Sequence, residues 1–223
     1  MAAYANQLAD EYLLDHSDHS TLRAKFHYHI DDIRSLSTLV SATPDETLKF
    51  DTAWLLLGSL QHLTENDDVL ACFHAAHAVL KDDTDTTLIV ELPHPRETFA
   101  MVECTRNEWE IPLQDEHGNE SGELKILWGN EDDTFDPIQQ VRQFTVAMQV
   151  TGMEKDANLQ NIRQVVPMRL FTAQEIDALA RCAGFTVDAM VGALDGDEEV
   201  AVNDEDAAFR LVCVLRKIPS KQE

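Results

Sequence analysis

Two histidines of this chain follow apolar runs of the kind that form buried strands. His62 lies five residues beyond the apolar run 53–57, and His94 stands between Pro93 and Pro95 after a second run. Because a histidine side chain titrates near neutral pH, either ring could take a proton from a substrate nucleophile. The alternative in both cases is a structural loop histidine, which is the favoured interpretation for His94.

Two closely spaced histidine pairs raise the question of a metal site. His27 and His29 would share one face of a strand, and His74 and His77 would share one face of a helix. A closed metal site usually needs a third or fourth ligand, and no Asp or Cys completes either pair at a suitable spacing. No metal site is therefore predicted.

His62 and His94 are expected to be positioned by a strand, a helix and a second strand. The continuous apolar run 51–57 predicts a strand buried on both faces of a parallel sheet. Thr64 followed by Asp67 forms a weak capping box for a helix that continues to about residue 80. The run 87–92 predicts the next strand, so this part of the chain is expected to be a parallel βαβ unit.

The pattern changes after this unit. Residues 96–168 are predicted to be an antiparallel β insertion with strands near 125–128, 139–150 and 162–170. Its aromatic residues Trp109, Trp128 and Phe135 either line a substrate pocket or form the small core of the insertion. These two alternatives stay open from the sequence alone.

A helix and two strands are expected to complete the chain. Thr172 and Glu175 form a clear capping box, and Gly184 stands where a helix-terminating glycine belongs. The segments 185–191 and 209–215 alternate between apolar and polar residues and predict an antiparallel hairpin. Residues before the βαβ unit add a moderate helical pattern over 2–14 and a short strand over 24–30.

Composition and charge further restrict the classes of function that the chain could have. The 223 residues are expected to form a single domain, and 17 Lys and Arg against 41 Asp and Glu give a net charge of −24. Such a field repels phosphate backbones and anionic lipid, so nucleic acid and membranes are disfavoured as partners and a neutral or cationic small molecule is favoured. Four dispersed cysteines and the absence of a signal-like or membrane-spanning apolar run predict a soluble cytoplasmic protein.

Four segments, taken in order, resemble the class I S-adenosylmethionine-dependent methyltransferases. Residues 31–34 resemble the end of the third core strand of that family, and 50–63 resemble its fourth strand with the loop that follows. Residues 88–95 resemble the fifth strand, and 169–185 resemble the last helix and the start of the final hairpin. The resemblance implies an α/β fold with a Rossmann-like sheet, an antiparallel insertion after the fifth strand and a C-terminal antiparallel hairpin.

The resemblance also implies S-adenosyl-L-methionine as cofactor and assigns residues to it. Asp32 would accept a hydrogen bond from the adenine amino group, although it could equally cap the segment that follows. Ile33 would pack on the adenine ring. The loop after the fourth strand would lie near the reacting methyl group, and it contains Leu57, Gly58, Ser59 and His62.

One departure from the family pattern concerns the glycine-rich turn after the first strand. The chain has eight glycines, no Gly-x-Gly sequence and no glycine before Gly58. It is therefore expected to begin inside the fold, without the first two strands and the first helix. Two functions follow: methyl transfer to a small-molecule acceptor, or an inactive methyltransferase-like binding module that self-associates through an exposed sheet edge.

Overall fold

Two separate β-sheets and four α-helices make up the computed structural model, which describes residues 29–45, 48–99, 106–114, 117–152, 161–194 and 200–219. The helices are α1 (Ser37–Ala42), α2 (Asn66–Val79), α3 (Pro95–Phe99) and α4 (Ala173–Cys182), with a 3-10 helix at Ser59–His62. The strands are β1 (Thr52–Leu55), β2 (Thr87–Pro93), β3 (Asn107–Gln114), β4 (Glu120–Trp128), β5 (Phe135–Asp136), β6 (Val141–Thr151), β7 (Ile162–Arg169), β8 (Phe185–Val191) and β9 (Arg210–Lys217). None of the helices within these residues is long and apolar enough to span a lipid bilayer.

The first sheet contains the predicted parallel unit and the predicted hairpin. Its strand order is β1-β2-β9-β8. β1 pairs with β2 in parallel, with Thr52 opposite Thr87, and β9 runs antiparallel between β2 and β8. The parallel pair and the C-terminal antiparallel hairpin are therefore confirmed.

Helices α2 and α4 cover one face of this sheet with apolar side chains. The fully buried Phe73 of α2 meets Phe185 of β8 edge-on, with 6.5 Å between the ring centroids. The capping box that begins α4 is confirmed, because the Glu175 amide donates to Thr172 Oγ1 at 3.2 Å. Gly184 follows α4 with φ 84°, a conformation that favours glycine. The local sequence signals here agree with the tertiary packing.

The predicted capping box at Thr64 and Asp67 is wrong. Helix α2 begins at Asn66 after Glu65, and no side chain caps its amides. Thr64 lies one residue too early, and its carbonyl oxygen instead accepts a hydrogen bond from Arg169 Nη1 at 3.2 Å. Asp67 lies in the first helical turn, where its negative charge interacts favourably with the helix dipole.

The expectation that the first strand is buried on both faces is also wrong. β1 is an edge strand of the described sheet, and Trp54 is 61% exposed while Ala53 and Leu55 turn toward the core. An apolar run does not reveal whether both faces are covered, which explains the error. The predicted helix over 2–14 lies outside the described residues, as does most of the strand over 24–30. His29 and Ile30, which are described, are not in a strand.

The second sheet has more strands than the three predicted. Its order is β3-β4-β6-β5. β7 pairs with residues 141–148 along the opposite edge of β6 from β4 and β5. β3 and β5 were not predicted, and β4 begins at Glu120 rather than at residue 125. Neighbouring strands are antiparallel throughout, as expected for the insertion.

Candidate functional site

The turn that follows β1 has an unusual backbone. Leu57 and Gly58 are consecutive residues in the left-handed region, with φ values of 55° and 71°. A side chain in this region costs about 1–2 kcal/mol, and yet Leu57 is 79% exposed and gains little burial in return. The turn lies at the carboxyl ends of the parallel strands β1 and β2, the edge at which open α/β sheets bind ligands.

Glu91 of β2 holds this turn in place. The Leu57 amide donates to Glu91 Oε2 at 2.9 Å, and the Gly58 amide donates to the Glu91 carbonyl oxygen at 3.2 Å. The other carboxylate oxygen pairs with Arg210 Nε of β9 at 3.3 Å. Because only 8% of the Glu91 side chain is exposed, these contacts compensate for the burial of its charge. Glu91 was not among the predicted site residues, although a charged residue inside the apolar run 88–92 was a usable signal.

The 3-10 helix after the turn carries the next predicted site residues. Ser59 Oγ donates to the Leu56 carbonyl oxygen at 2.7 Å, which closes the turn. The buried Gln61 donates from Nε2 to the Arg169 carbonyl oxygen at 3.1 Å, so the helix is attached to the end of β7. His62 ends the 3-10 helix with an exposed side chain. Leu57, Gly58, Ser59 and His62 therefore lie together in one short loop.

His94 lies at the end of β2 and is surrounded by backbone groups. Its Nδ1 accepts a hydrogen bond from the Arg96 amide at 3.2 Å, which leaves the proton of the neutral ring on Nε2. Nε2 donates that proton to the Val202 carbonyl oxygen at 2.8 Å. Both ring nitrogens are engaged, so His94 would have to break one of these bonds to take a proton from a substrate.

Asp32 and Ile33 lie in the segment before α1. Arg34 binds both carboxylate oxygens of Asp32, with Nη2 2.6 Å from Oδ2 and Nε 3.0 Å from Oδ1. These hydrogen bonds lower the pKa of Asp32 to about 2. Arg34 Nη1 also lies 3.2 Å from Asp68 Oδ1 of α2, and Ile33 packs against the main core. Asp32 is thus ionised, exposed and paired.

The capping role considered for Asp32 is divided between two residues. Asp32 Oδ1 accepts the amide of Arg34 at 2.9 Å in the turn that follows it, and Asp31 caps helix α1. Asp31 Oδ2 accepts the amide of Thr38 at 2.7 Å, and Oδ1 accepts the hydroxyl of Ser37 at 3.2 Å. These bonds satisfy donors in the first turn of α1 and lower the pKa of Asp31 against the opposing effect of burial. Asp32 is therefore not needed as the helix cap.

A cavity of about 620 Å³ lies at the start of α2. It is lined by residues 64–68, the turn 138–140, Arg169 and Glu175. Arg169 Nη2 donates to Asn66 Oδ1 at 2.6 Å and pairs closely with Glu175, while Gln140 Nε2 donates to Glu175 Oε2 at 3.2 Å. This network fixes one wall of the cavity.

Metal ligands are not brought together by the described part of the fold. No group of three or more His, Cys, Asp or Glu side chains lies in a metal-binding arrangement among those residues. His77 instead packs edge-on against Phe185, with ring centroids 5.3 Å apart. Burial, together with the nearby charge of Lys217, lowers the pKa of His77.

Comparison with known proteins identifies the fold. No protein-family model and no curated protein matches the chain. Solved structures do match it. An S-adenosylmethionine-dependent methyltransferase from Clostridium acetobutylicum superposes with a TM-score of 0.58 at 13% identity, over 92% of this chain and 69% of that one. The sugar N-methyltransferase from Streptoalloteichus gives a TM-score of 0.54 at 14% identity, over 89% and 66%.

A third structure extends the comparison. The amino pentose methyltransferase from Micromonospora echinaspora, solved with S-adenosylmethionine bound, gives a TM-score of 0.51 at 18% identity, over 86% of this chain and 66% of that one. The chain thus spans about two thirds of the length of each of the three proteins. The predicted fold class is confirmed, because this chain has the Rossmann-like α/β fold of S-adenosylmethionine-dependent methyltransferases.

Proposed function

We propose that this chain takes part in S-adenosylmethionine-dependent methyl transfer to a small-molecule acceptor. The observation that carries the proposal is the strained turn at Leu57 and Gly58, at the carboxyl end of β1. Strained residues persist only where surrounding contacts hold them, and they cluster at ligand sites. Here Glu91 holds the turn, and the exposed Leu57 side chain is left free for a ligand.

The described residues fit the cofactor in part. Leu57, Gly58 and Ser59 would hold its sulfonium end, because their backbone is already fixed. Asp32 is ionised and suited to accept from an adenine amino group, but Arg34 occupies both of its oxygens. Arg34 is 48% exposed, so the ion pair is weak and can be exchanged for a ligand.

The cavity at the start of α2 is the proposed acceptor site. Its lining includes four carboxylates, those of Glu65, Asp67, Asp68 and Glu175, against the single cation of Arg169. This excess of negative charge favours a cationic or neutral acceptor such as an amine. Two of the similar structures are named as sugar N-methyltransferase and amino pentose methyltransferase, which supports the same acceptor class.

Positioning would do most of the chemical work. When bound, the cofactor supplies an activated methyl group, and holding the acceptor in line with it lowers the barrier. An ammonium acceptor must first lose a proton, and His62 is the more accessible base of the two candidate histidines. His62 is exposed in the same loop as Leu57, whereas both nitrogens of His94 are bound to backbone groups.

Calorimetric titration of the full chain with S-adenosylhomocysteine tests this proposal. Binding by the unmodified chain is expected, and Arg34→Ala should bind more tightly because it frees Asp32 Oδ2, while Oδ1 keeps the amide of residue 34. Asp32→Asn should weaken binding, since a neutral amide is a poorer acceptor than a carboxylate. Asp188→Asn is the matched control, because Asp188 is also exposed and paired with an arginine but lies on β8. If neither the chain nor Arg34→Ala bound the ligand, methyl transfer by this chain would be abandoned.

A second candidate function is a binding module that performs no methyl transfer. Trp54 in the edge strand β1 and Leu57 in the turn after it favour this candidate, because they are 61% and 79% exposed, as does the absence of any Gly-x-Gly sequence. This candidate predicts cooperative unfolding without S-adenosylhomocysteine binding, together with a protein partner at the β1 edge. A monodisperse monomer in light scattering, with no bound partner, would contradict it.

A further inference from the structure

One side of the insertion sheet carries a large apolar patch. Across its four longer strands, Trp109, Ile126, Met148 and Ile162 are register partners and therefore point to the same side. One neighbouring row on this side adds Ile111, Leu124 and Val150. The other adds Trp128 and Val146, with the uncharged Asn107 and Gln164 at its two ends. We call this surface, defined by these nine apolar residues, the apolar face. No charged residue belongs to these rows.

The opposite side of the same strands is charged. Glu108, Leu127, Ala147 and Arg163 form one row there, and Glu110, Lys125 and Gln149 form the next. Lys125 Nζ lies 2.5 Å from Glu108 Oε1 and 3.9 Å from Glu110 Oε1. This is the normal solvent side of an antiparallel sheet, so the apolar face is the side that should be covered.

Large apolar side chains on that side are nevertheless exposed. Relative exposure is 40% for Trp109, 41% for Ile111, 37% for Trp128, 39% for Met148 and 57% for Ile162. With roughly 150–250 Å² for each large side chain, these five expose about 300–500 Å² of apolar surface. One side of a standard interface buries about 800 Å², of which a little over half is apolar, or about 450–520 Å². The exposed area therefore matches the apolar part of one side of a stable dimer.

We propose that the apolar face packs against the same face of a second copy of this chain, sheet against sheet about 10 Å apart, around a twofold axis. Charge selects this surface, because each copy carries a net charge of −24 and two copies repel each other wherever charged sides meet. The apolar face has no charged residue in its rows, so two copies can meet there without burying like charges. The proposal does not depend on methyl transfer.

The test is the oligomeric state of the full chain by sedimentation equilibrium from 1 to 100 μM. We expect a dimer of twice 25.1 kDa. Met148→Glu should weaken dimerisation at least 100-fold, because the twofold axis buries the new charge twice. Gln149→Glu is the matched control, since it adds the same charge one residue along the strand but on the opposite side, and it should leave the dimer intact.

Further variants separate failure of folding from failure of the proposal. Met148 is 39% exposed, so circular dichroism and thermal unfolding of Met148→Glu should match the unmodified chain. If that variant does not fold, Ile162→Glu, at a more exposed position on the same row, replaces it. A monomeric unmodified chain at 100 μM would overturn the proposal, as would equal effects of Met148→Glu and Gln149→Glu. A dimer that is lost only in Trp54→Glu would place the interface at the β1 edge and also overturn it.

Discussion

Replacing Gly58 by alanine tests whether the turn after β1 is held by its surroundings. Gly58 has φ 71°, and a side chain in this region costs about 1–2 kcal/mol. A Cβ atom at this position would lie 2.6 Å from Gln61 Oε1, which is closer than real Cβ contacts allow. Gln61 is buried and bound to the Arg169 carbonyl oxygen, so moving it would sacrifice a bond that contributes about 0.5–1.5 kcal/mol.

The two effects together set the expected size of the change. The reduced freedom of the unfolded chain returns about 0.4–1 kcal/mol, so Gly58→Ala should destabilise the fold by about 0.5–3 kcal/mol. In urea, a slope of about 2–3 kcal/mol per molar converts this to a midpoint lowered by about 0.2–1.5 M. Tryptophan fluorescence and circular dichroism should give the same midpoint if unfolding is two-state.

Gly118→Ala is the control for the backbone alone. Gly118 has φ 80°, and a Cβ atom there would meet nothing within 4 Å. The excess loss in Gly58→Ala over Gly118→Ala therefore measures the contact with Gln61, and it should disappear when Gln61 is also replaced by alanine. Equal losses at the two glycines, or an excess that persists without Gln61, would refute the packing argument.

Three further outcomes are expected. A thiol reagent followed by peptide mapping should modify the exposed Cys182 rapidly in the native protein and spare Cys72, because burial raises the pKa of the Cys72 thiol to about 12; equal rates would contradict this. Burial lowers the pKa of His77, so below about pH 6.5 the unfolded state binds a proton at His77 that the folded state does not, and the free energy of unfolding should fall as the pH drops. His77→Gln should flatten this pH dependence in urea titrations. An unchanged slope would contradict the role given to His77. Phe185→Ala should cost about 3–5 kcal/mol in the same assay because Phe185 is fully buried, whereas Phe209→Ala, at a 45% exposed position, should cost far less.

Local signals in the sequence were sufficient wherever packing agreed with them. Thr172 and Glu175 predicted the start of α4 because a capping box is made by neighbours in the chain. The parallel pairing of β1 and β2 followed from two apolar runs joined by a helical pattern. β3 was missed even though Trp109, Ile111 and Leu113 alternate there with polar residues and a proline. Pro112 is tolerated because β3 is an edge strand of its sheet.

Exposure was harder to predict than secondary structure. The run that contains Trp54 is apolar enough for a central strand, but whether its outer side is covered depends on the whole sheet. The role of Thr64 also depends on a distant residue. It does not begin a helix, and its carbonyl oxygen accepts a hydrogen bond from an arginine 105 residues further along the chain. Such outcomes depend on tertiary contacts that a local pattern does not contain.

The geometry of the candidate site depends on residues that are distant in the sequence. Leu57 and Gly58 adopt left-handed conformations in a turn whose amides bind Glu91, and Glu91 in turn is paired with Arg210 of the last strand. The 3-10 helix that follows is attached to β7 through Gln61. The geometry of the proposed cofactor loop is thus fixed by the C-terminal hairpin and by the insertion, neither of which needs to touch the cofactor. It follows that a substitution in β7 or β9 that abolishes ligand binding does not by itself show contact with the ligand; it must first be shown to leave the turn unchanged.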